Sequence, residues 1–128
     1  MSLVECDKII VKETEDKGLG AFTKVKILKN FLVEKGVIRR IDYDGNQNPY
    51  LFTWSVNKDV WGFASGCATF YNTSLQPNCV MNRDFENNVF SIYSLKNIEK
   101  DEELTHLYRS LQWRTCFKDL NTHLQKTE

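Results

Sequence analysis

The sequence predicts a mainly β domain with short helices, and two observations support this fold class. Short runs of apolar, β-branched and aromatic residues recur along the chain, as is typical of strands in small sheets. The length of 128 residues, with 41% hydrophobic and 12% aromatic content, suits one hydrophobic core. Because no repeat or linker-like stretch divides the chain, residues 1–128 are predicted to form a single domain.

The predicted strands fall into an N-terminal and a C-terminal group. They comprise residues 9–11, 21–22, 31–33, 37–38, 79–81, 89–93 and 104–108. Residues 80–95 are predicted to form a hairpin, because residues 86–88 suit its turn and the residues after it alternate along the strand. Apolar groups on both faces of its second strand predict that this strand is buried.

Two further segments complete the predicted architecture. Residues 41–49 are polar and rich in turn formers, which predicts an exposed irregular loop. Residues 110–124 carry apolar side chains at helical spacing and predict a short C-terminal helix. These side chains are Leu111, Trp113, Phe117, Leu120 and Leu124.

Charge and cysteine usage exclude several functional classes. Lys plus Arg and Asp plus Glu are both 17, so the balanced charge argues against direct nucleic-acid binding. Charges interrupt the N-terminal apolar residues, so we expect no signal peptide, no membrane segment and an intracellular, nuclear or cytoplasmic location. The four cysteines form no closely spaced pair, which predicts reduced thiols and no bound metal.

Three segments could carry chemistry, although each also has an ordinary structural interpretation. Residues 17–22 form a glycine turn before a strand, and residues 72–79 form a polar loop after a buried segment. Residues 101–108 form an acidic turn and a strand on which Leu104, His106 and Tyr108 share one face.

Taken in order, these segments resemble the SET-domain protein lysine methyltransferases, and in particular their short stand-alone members, such as the viral ones. Four stretches between about Ile9 and Trp113 carry the resemblance. They are KGLGAF at 17–22, YLF at 50–52 with WGFASG at 61–66, FYNTSLQPN at 70–78, and DEELTHLY at 101–108. The last two are similar to the family patterns FxNHSxxPN and GEELTxxY, and they are the most specific.

The resemblance implies a β-clip of small sheets with a C-terminal pseudoknot, formed by residues 9–113 and followed by a helix or tail at 114–128. It also implies S-adenosylmethionine as cofactor, S-adenosylhomocysteine as product, and a protein lysine entering from the opposite face. Histone tails are the implied substrate class by analogy.

Site residues follow from the matched motifs. The resemblance implies that Tyr108 is catalytic and that Tyr50 and Tyr108 line the lysine channel. It implies that the cofactor is held by Lys17, Gly18, Leu19, Gly20, Tyr71, Asn72, Thr73, Tyr108 and Trp113. Without a cysteine cluster after the domain, the C-terminal helix or a second copy of the chain would close the channel, so a homodimer is a further expectation.

Some positions depart from the family pattern. Thr73 replaces the usual histidine, Asp101 replaces a glycine, and Leu107, Arg109 and Gln112 replace residues that often flank the tyrosine and the adenine-stacking aromatic. Two alternatives stay open, the first because of these substitutions and the second because of the cysteines. One is a catalytically silent SET-like interaction module, and the other is a small metal-binding domain that uses the four cysteines.

Overall fold

A computed structural model describes residues 2–108 and 115–127, and in these ranges the protein consists mainly of strands. The strands are β1 Ile9–Glu13, β2 Leu19–Thr23, β3 Leu32–Ile41, β4 Phe52–Thr53, β5 Trp61–Ala64, β6 Asn72–Thr73, β7 Cys79–Asp84, β8 Val89–Ser94 and β9 Glu103–His106. Short 3₁₀ helices form at Ala68–Phe70 and Thr115–Phe117, and helix α1 spans Lys118–Thr127. The predicted β-rich class is confirmed.

The strands form two small sheets. One has the order β1-β2-β9-β6, and the other has the order β4-β5-β3-β8-β7. All pairings are antiparallel except that of β6 with β9, which is parallel. Because β9 lies between β2 and β6, a strand from near the C-terminus enters a sheet begun by the first residues, as the predicted pseudoknot requires.

The predicted hairpin at residues 80–95 is confirmed as β7 and β8. Asn88 has a positive φ of 57° at the end of the turn, a conformation that asparagine tolerates better than most residues. Phe90, Ile92 and Ser94 of β8 are buried, while the alternating residues of this strand are half-buried. One face of the second strand therefore meets the core, rather than both.

Three predicted boundaries are corrected. Residues 32–33 and 37–38 belong to one strand, because the pairing of β3 with β8 continues through Gly36, with one irregularity between Leu32 and Glu34. The strand predicted at 104–108 ends at His106, since the amide of Tyr108 instead donates a hydrogen bond to Thr73 Oγ1. The C-terminal helix begins at Lys118, and residues 110–114 lie outside the described ranges.

The core packs between the two sheets. Its largest fully buried side chains include Trp54, Tyr71, Phe90 and Ile92. A smaller cluster joins Phe117 and Leu124 of the C-terminal segment to Leu75 and Tyr108. This second cluster places α1 beside β6 and β9. None of the helices within the described ranges is sufficiently long and apolar to cross a membrane.

Candidate active site

The parallel pairing of β6 with β9 brings two of the sequence motifs together. Asn72 lies opposite Thr105, and Thr73 lies opposite His106. Asn78, which is 6% exposed, ties the same two segments together. Its side chain donates to the Glu103 carbonyl at 2.8 Å and accepts from the Thr105 amide at 2.9 Å. The segments 70–78 and 101–108 are therefore joined by main-chain register and by a buried amide.

An open cleft of about 550 Å³ lies on one side of this junction. It is lined by Asp16, Lys17, Asn72, Thr73, Ser74, Thr105, Leu120, His123 and Leu124. Three of these residues come from α1, so the C-terminal helix forms one wall. Because the cleft mixes apolar side chains with charged and amide groups, it can accept a ligand that has both an apolar and a zwitterionic part.

The side chain of Asn72 is held at the wall of this cleft. Its Nδ2 donates to the Leu19 carbonyl at 3.1 Å and to Glu103 Oε2 at 2.9 Å. The other Glu103 oxygen pairs with Lys17 Nζ at 2.7 Å. With its amide hydrogens engaged, Asn72 presents its carbonyl oxygen as the acceptor that remains for a ligand.

The glycine turn at residues 17–20 is held in a fixed conformation next to Asn72. Thr14 closes the turn, because its amide and hydroxyl donate to the Gly18 carbonyl at 2.7 and 2.8 Å and its Oγ1 accepts from the Lys17 amide. Gly18 has a φ of +75°, which favours glycine. A Cβ at Gly20 would lie 3.1 Å from Asn72 Nδ2, so a side chain there would crowd the amide.

Tyr108 is anchored at both ends on the other side of the junction. Its hydroxyl donates to the Tyr71 carbonyl at 2.7 Å, and its amide donates to Thr73 Oγ1 at 3.0 Å. Burial, and to a smaller extent the charge of Glu103, raise the pKa of Tyr108 to about 12. The phenol therefore stays protonated at neutral pH.

A narrow cavity of about 20 Å³ adjoins the Tyr108 ring. It is lined by Pro49, Leu51, Phe52, Thr53, Ala68, Thr69, Arg83, His106, Tyr108 and Phe117. The Tyr108 and Phe117 rings are 5.1 Å apart, so the segment that leads into α1 closes part of this cavity. Because successive strand residues point to opposite faces, Thr105 faces the cleft and His106 faces the cavity.

The remaining predicted site residues differ in their placement. Tyr71 is buried, and its hydroxyl donates to Glu34 Oε1 at 3.0 Å, so its ring belongs to the core. The Tyr50 side chain is 64% exposed and lies outside the cavity lining, although its neighbours Pro49 and Leu51 contribute to it. Trp113 lies outside the described residues.

The whole arrangement can be compared with known proteins. The family model for the SET domain matches residues 3–109. The chain belongs to the SET-domain family. A curated SET-domain relative, the "Histone-lysine N-methyltransferase, H3 lysine-37 specific" of Schizosaccharomyces pombe, is 29% identical over 111 residues, covering 80% of this chain and 74% of that protein.

The solved SET-domain structures include a similar fold. The crystal structure of a candidate histone methyltransferase from Plasmodium falciparum superimposes with a TM-score of 0.66 at 27% identity, covering 80% of this chain and 97% of that one. Membership of the SET-domain family makes the chain a protein-lysine N-methyltransferase, and S-adenosylmethionine is the cofactor that SET methyltransferases use.

The structure adds several residues to the candidate site that the sequence analysis does not include. Glu103 contacts both Asn72 and Lys17, and its place in the acidic motif beside Leu104 is the sequence signal that marks it. His123 and Leu120 line the cleft from α1, and Phe117 lines the cavity. No motif marks these three, because only the docking of α1 brings them to the site.

Proposed function

We propose that the protein methylates lysine side chains of histone tails, using S-adenosylmethionine held in the 550 Å³ cleft and Tyr108 as the catalytic residue. The observation that carries this proposal is the double anchoring of Tyr108 to Tyr71 and Thr73. Thr73 lines the cleft and Tyr108 lines the narrow cavity, so the anchored tyrosine lies between the two. Such rigid placement is what an in-line methyl transfer requires, since catalysis depends on alignment.

The described residues of the cleft fit the methionine end of the cofactor. Lys17 offers a positive charge for a carboxylate, while the Asn72 carbonyl and Glu103 suit an ammonium group. Gly18, Leu19 and Gly20 contribute the backbone against which Asn72 is fixed. When bound, S-adenosylmethionine supplies the electrophilic methyl group. Trp113 remains the proposed partner of the adenine, and Tyr71 takes part through its backbone.

The cavity beside Tyr108 is proposed to receive the substrate lysine. Phe52, Phe117 and Tyr108 give it an aromatic wall, and Arg83 lies 5.8 Å from the centre of the Phe52 ring. Apolar walls and a nearby cation both disfavour a charged ammonium, so they favour the free amine that attacks. At about 20 Å³ the cavity has room for little more than a water molecule, so lysine entry requires its side chains to move.

A surface groove supports a basic peptide as substrate. Its lining includes three carboxylates, Asp42, Asp44 and Asp59, against two cations, Arg40 and Lys58, so its formal charge is weakly negative. The groove also reaches Trp61 of β5, which pairs with Thr53 of β4 in the cavity wall. A lysine-rich tail lying in the groove would therefore pass close to the cavity. The proposal includes Tyr50 as a residue of the substrate channel and a location in the nucleus or cytoplasm. A homodimer and the absence of direct nucleic-acid binding stay predictions.

The test is a methyl-transfer assay on histone H3 and its tail peptides, preceded by calorimetric titration of S-adenosylmethionine. The first peptide should contain lysine 37, with a matched peptide carrying Lys→Arg as control. Micromolar cofactor affinity, about −8 kcal/mol, with transfer to the lysine peptide alone supports the proposal. Cofactor binding without transfer to any histone rejects the substrate class. Absence of binding at millimolar cofactor favours the silent interaction module.

A further inference from the structure

Two thiols and one carboxylate meet near the buried hydroxyl of Tyr71. The Sγ atoms of Cys6 and Cys67 and a carboxylate oxygen of Glu34 all lie within 4.8 Å of one another. Glu34 is fully buried, whereas both cysteines are partly exposed. The cluster therefore extends from the core to the surface, and none of its members lines the cofactor cleft or the lysine cavity.

Main-chain hydrogen bonds fix all three residues. Glu5 and Lys35 exchange two backbone hydrogen bonds of 2.9 and 3.0 Å, which places Cys6 directly opposite Glu34 on the same face. Cys67 approaches from another part of the chain, and its amide donates to Glu34 Oε2 at 2.7 Å. The three side chains are therefore brought together by the fold itself rather than by flexible surface segments.

Gly66 allows the chain to approach this cluster closely. Its φ is +66°, a conformation that favours glycine. A Cβ at this position would clash with Glu34 Oε2 and lie 3.4 Å from Cys6 Sγ. A residue with a Cβ at position 66 would therefore crowd the Glu34 carboxylate and the Cys6 thiol.

The donor set suits a zinc ion. Zn²⁺ binds cysteine thiolates and carboxylate oxygens in tetrahedral sites, and a carboxylate that binds a metal usually accepts hydrogen bonds from outer groups. Glu34 meets this condition, because Oε1 accepts from the Tyr71 hydroxyl and Oε2 accepts from the Cys67 amide.

We propose that Cys6, Glu34 and Cys67 bind one zinc ion, with solvent at the fourth position. The ion would join the N-terminal segment, β3 and the loop that leads into Tyr71, and so stabilise the fold beneath the active site. This proposal replaces the expectation, drawn from cysteine spacing, that no metal is bound. It stands independently of the proposed substrate.

The test uses the full chain, freed of metal with a chelator under reducing conditions and then titrated with Zn²⁺, or with Co²⁺ as a spectroscopic probe. We expect one ion per chain, a thiolate-to-cobalt absorption band and a higher midpoint of thermal unfolding with zinc. Cys67→Ser should weaken zinc binding by about 100-fold, whereas the matched control Cys116→Ser should bind like the wild type.

Several results would overturn the zinc site. They are the absence of zinc uptake by the reduced wild-type chain, zinc affinity that Cys6→Ser and Cys67→Ser leave unchanged, or a Cys6–Cys67 disulfide that forms in place of zinc binding. If Cys67→Ser fails to fold, alkylation of the wild-type thiols decides the question. Zinc should slow modification of Cys6 and Cys67 but not of Cys116, and equal rates with and without zinc contradict the proposal.

Discussion

The hydroxyl of Tyr108 donates a 2.7 Å hydrogen bond to the backbone carbonyl of Tyr71. The amide of the same tyrosine donates to Thr73 Oγ1, so the residue is tied at two points to the chain on both sides of Asn72. The catalytic candidate and the cofactor-binding candidate are therefore placed by one set of contacts. Separate measurements of cofactor binding and of methyl transfer distinguish the effect of a substitution at Tyr108 from that of a substitution at Asn72.

Tyr108→Phe should lower the rate of methyl transfer by about 100-fold or more, because it removes the hydroxyl that orients the attacking amine. Loss of the hydrogen bond to Tyr71 should reduce the free energy of unfolding by about 1 kcal/mol. Cofactor affinity, measured by calorimetry, should change little. Tyr93→Phe, on β8, is the control and should keep full activity. Activity near the wild-type level in Tyr108→Phe would show that another group is catalytic.

Asn72→Ala should weaken S-adenosylmethionine binding by about tenfold, since it removes both the acceptor presented to the cleft and the contact that fixes the glycine turn. Transfer at saturating cofactor should fall much less than in Tyr108→Phe. Asn57→Ala, in an exposed turn, serves as the matched control. An unchanged dissociation constant for Asn72→Ala would refute its role in the cleft.

Glu103→Ala should also weaken cofactor binding, because the Asn72 amide and Lys17 both lose the carboxylate that positions them. Glu103→Gln keeps an acceptor for the amide, so its loss of affinity should be smaller. The Lys17 pair is partly exposed and should contribute at most about 1 kcal/mol to stability. Calorimetry on both variants, with Glu99→Ala as control, tests this order. An equal loss of cofactor affinity in Glu103→Ala and Glu103→Gln would indicate that Glu103 acts through its charge alone.

The stability of the protein at high pH should reflect the raised pKa of Tyr108, which is about 12 because of burial and, to a smaller extent, the charge of Glu103. An unperturbed tyrosine has a pKa of 10.0, so between these values the folded state keeps a proton that the unfolded state loses. The stability from this group is complete below the unfolded pKa and is lost as the pH rises through the folded pKa.

With peptide well below saturation, single-turnover rates should keep rising up to about pH 10, since the amine of the free substrate, with a pKa of about 10.4, becomes increasingly deprotonated. Denaturant unfolding at each pH is the control for an intact fold. A fall in rate near pH 10 that coincides with ionisation of Tyr108, measured as the ultraviolet difference between the wild type and Tyr108→Phe, would contradict the buried environment of Tyr108.

Gly36→Ala should destabilise the protein by about 1–3 kcal/mol, because its Cβ would lie 2.5 Å from Phe90 Cζ in the packed core. Gly18→Ala is the informative comparison. No atom lies within 4 Å of a Cβ there, but the φ of +75° adds strain. Its cost should be about 1 kcal/mol and should leave the core intact. Chemical denaturation of both variants measures the difference, and similar values would argue against close packing at Gly36.

Local patterns carried much of the fold. The hairpin of β7 and β8 follows from alternating apolar residues and a turn that suits Asn88, and both features act over a few neighbouring residues. The two strands predicted at residues 31–33 and 37–38 are, however, parts of one strand, β3. The close approach of the Phe90 ring leaves no space for a side chain at position 36, and Gly36 lets β3 continue there.

Short strands could not be predicted in the same way. β4 and β6 have two residues each, too few to show a periodic pattern. β6 exists because its parallel partner β9 arrives from about thirty residues later in the chain. The cleft and the cavity also depend on contacts between distant parts of the chain. Leu120 of α1 lines the cleft, and Phe117, just before α1, lines the cavity.

The sequence by itself determined the family, the β-rich class and the order of the motifs, because these depend on residue types at short spacings. Only the tertiary structure decided which side chains meet. Glu34 and Cys67 are 33 residues apart in the chain yet share a hydrogen bond, and Tyr108 is fixed to Tyr71 at a separation of 37. Such contacts arise when strands pair and the core closes, and the energy of that packing is not encoded in any local pattern.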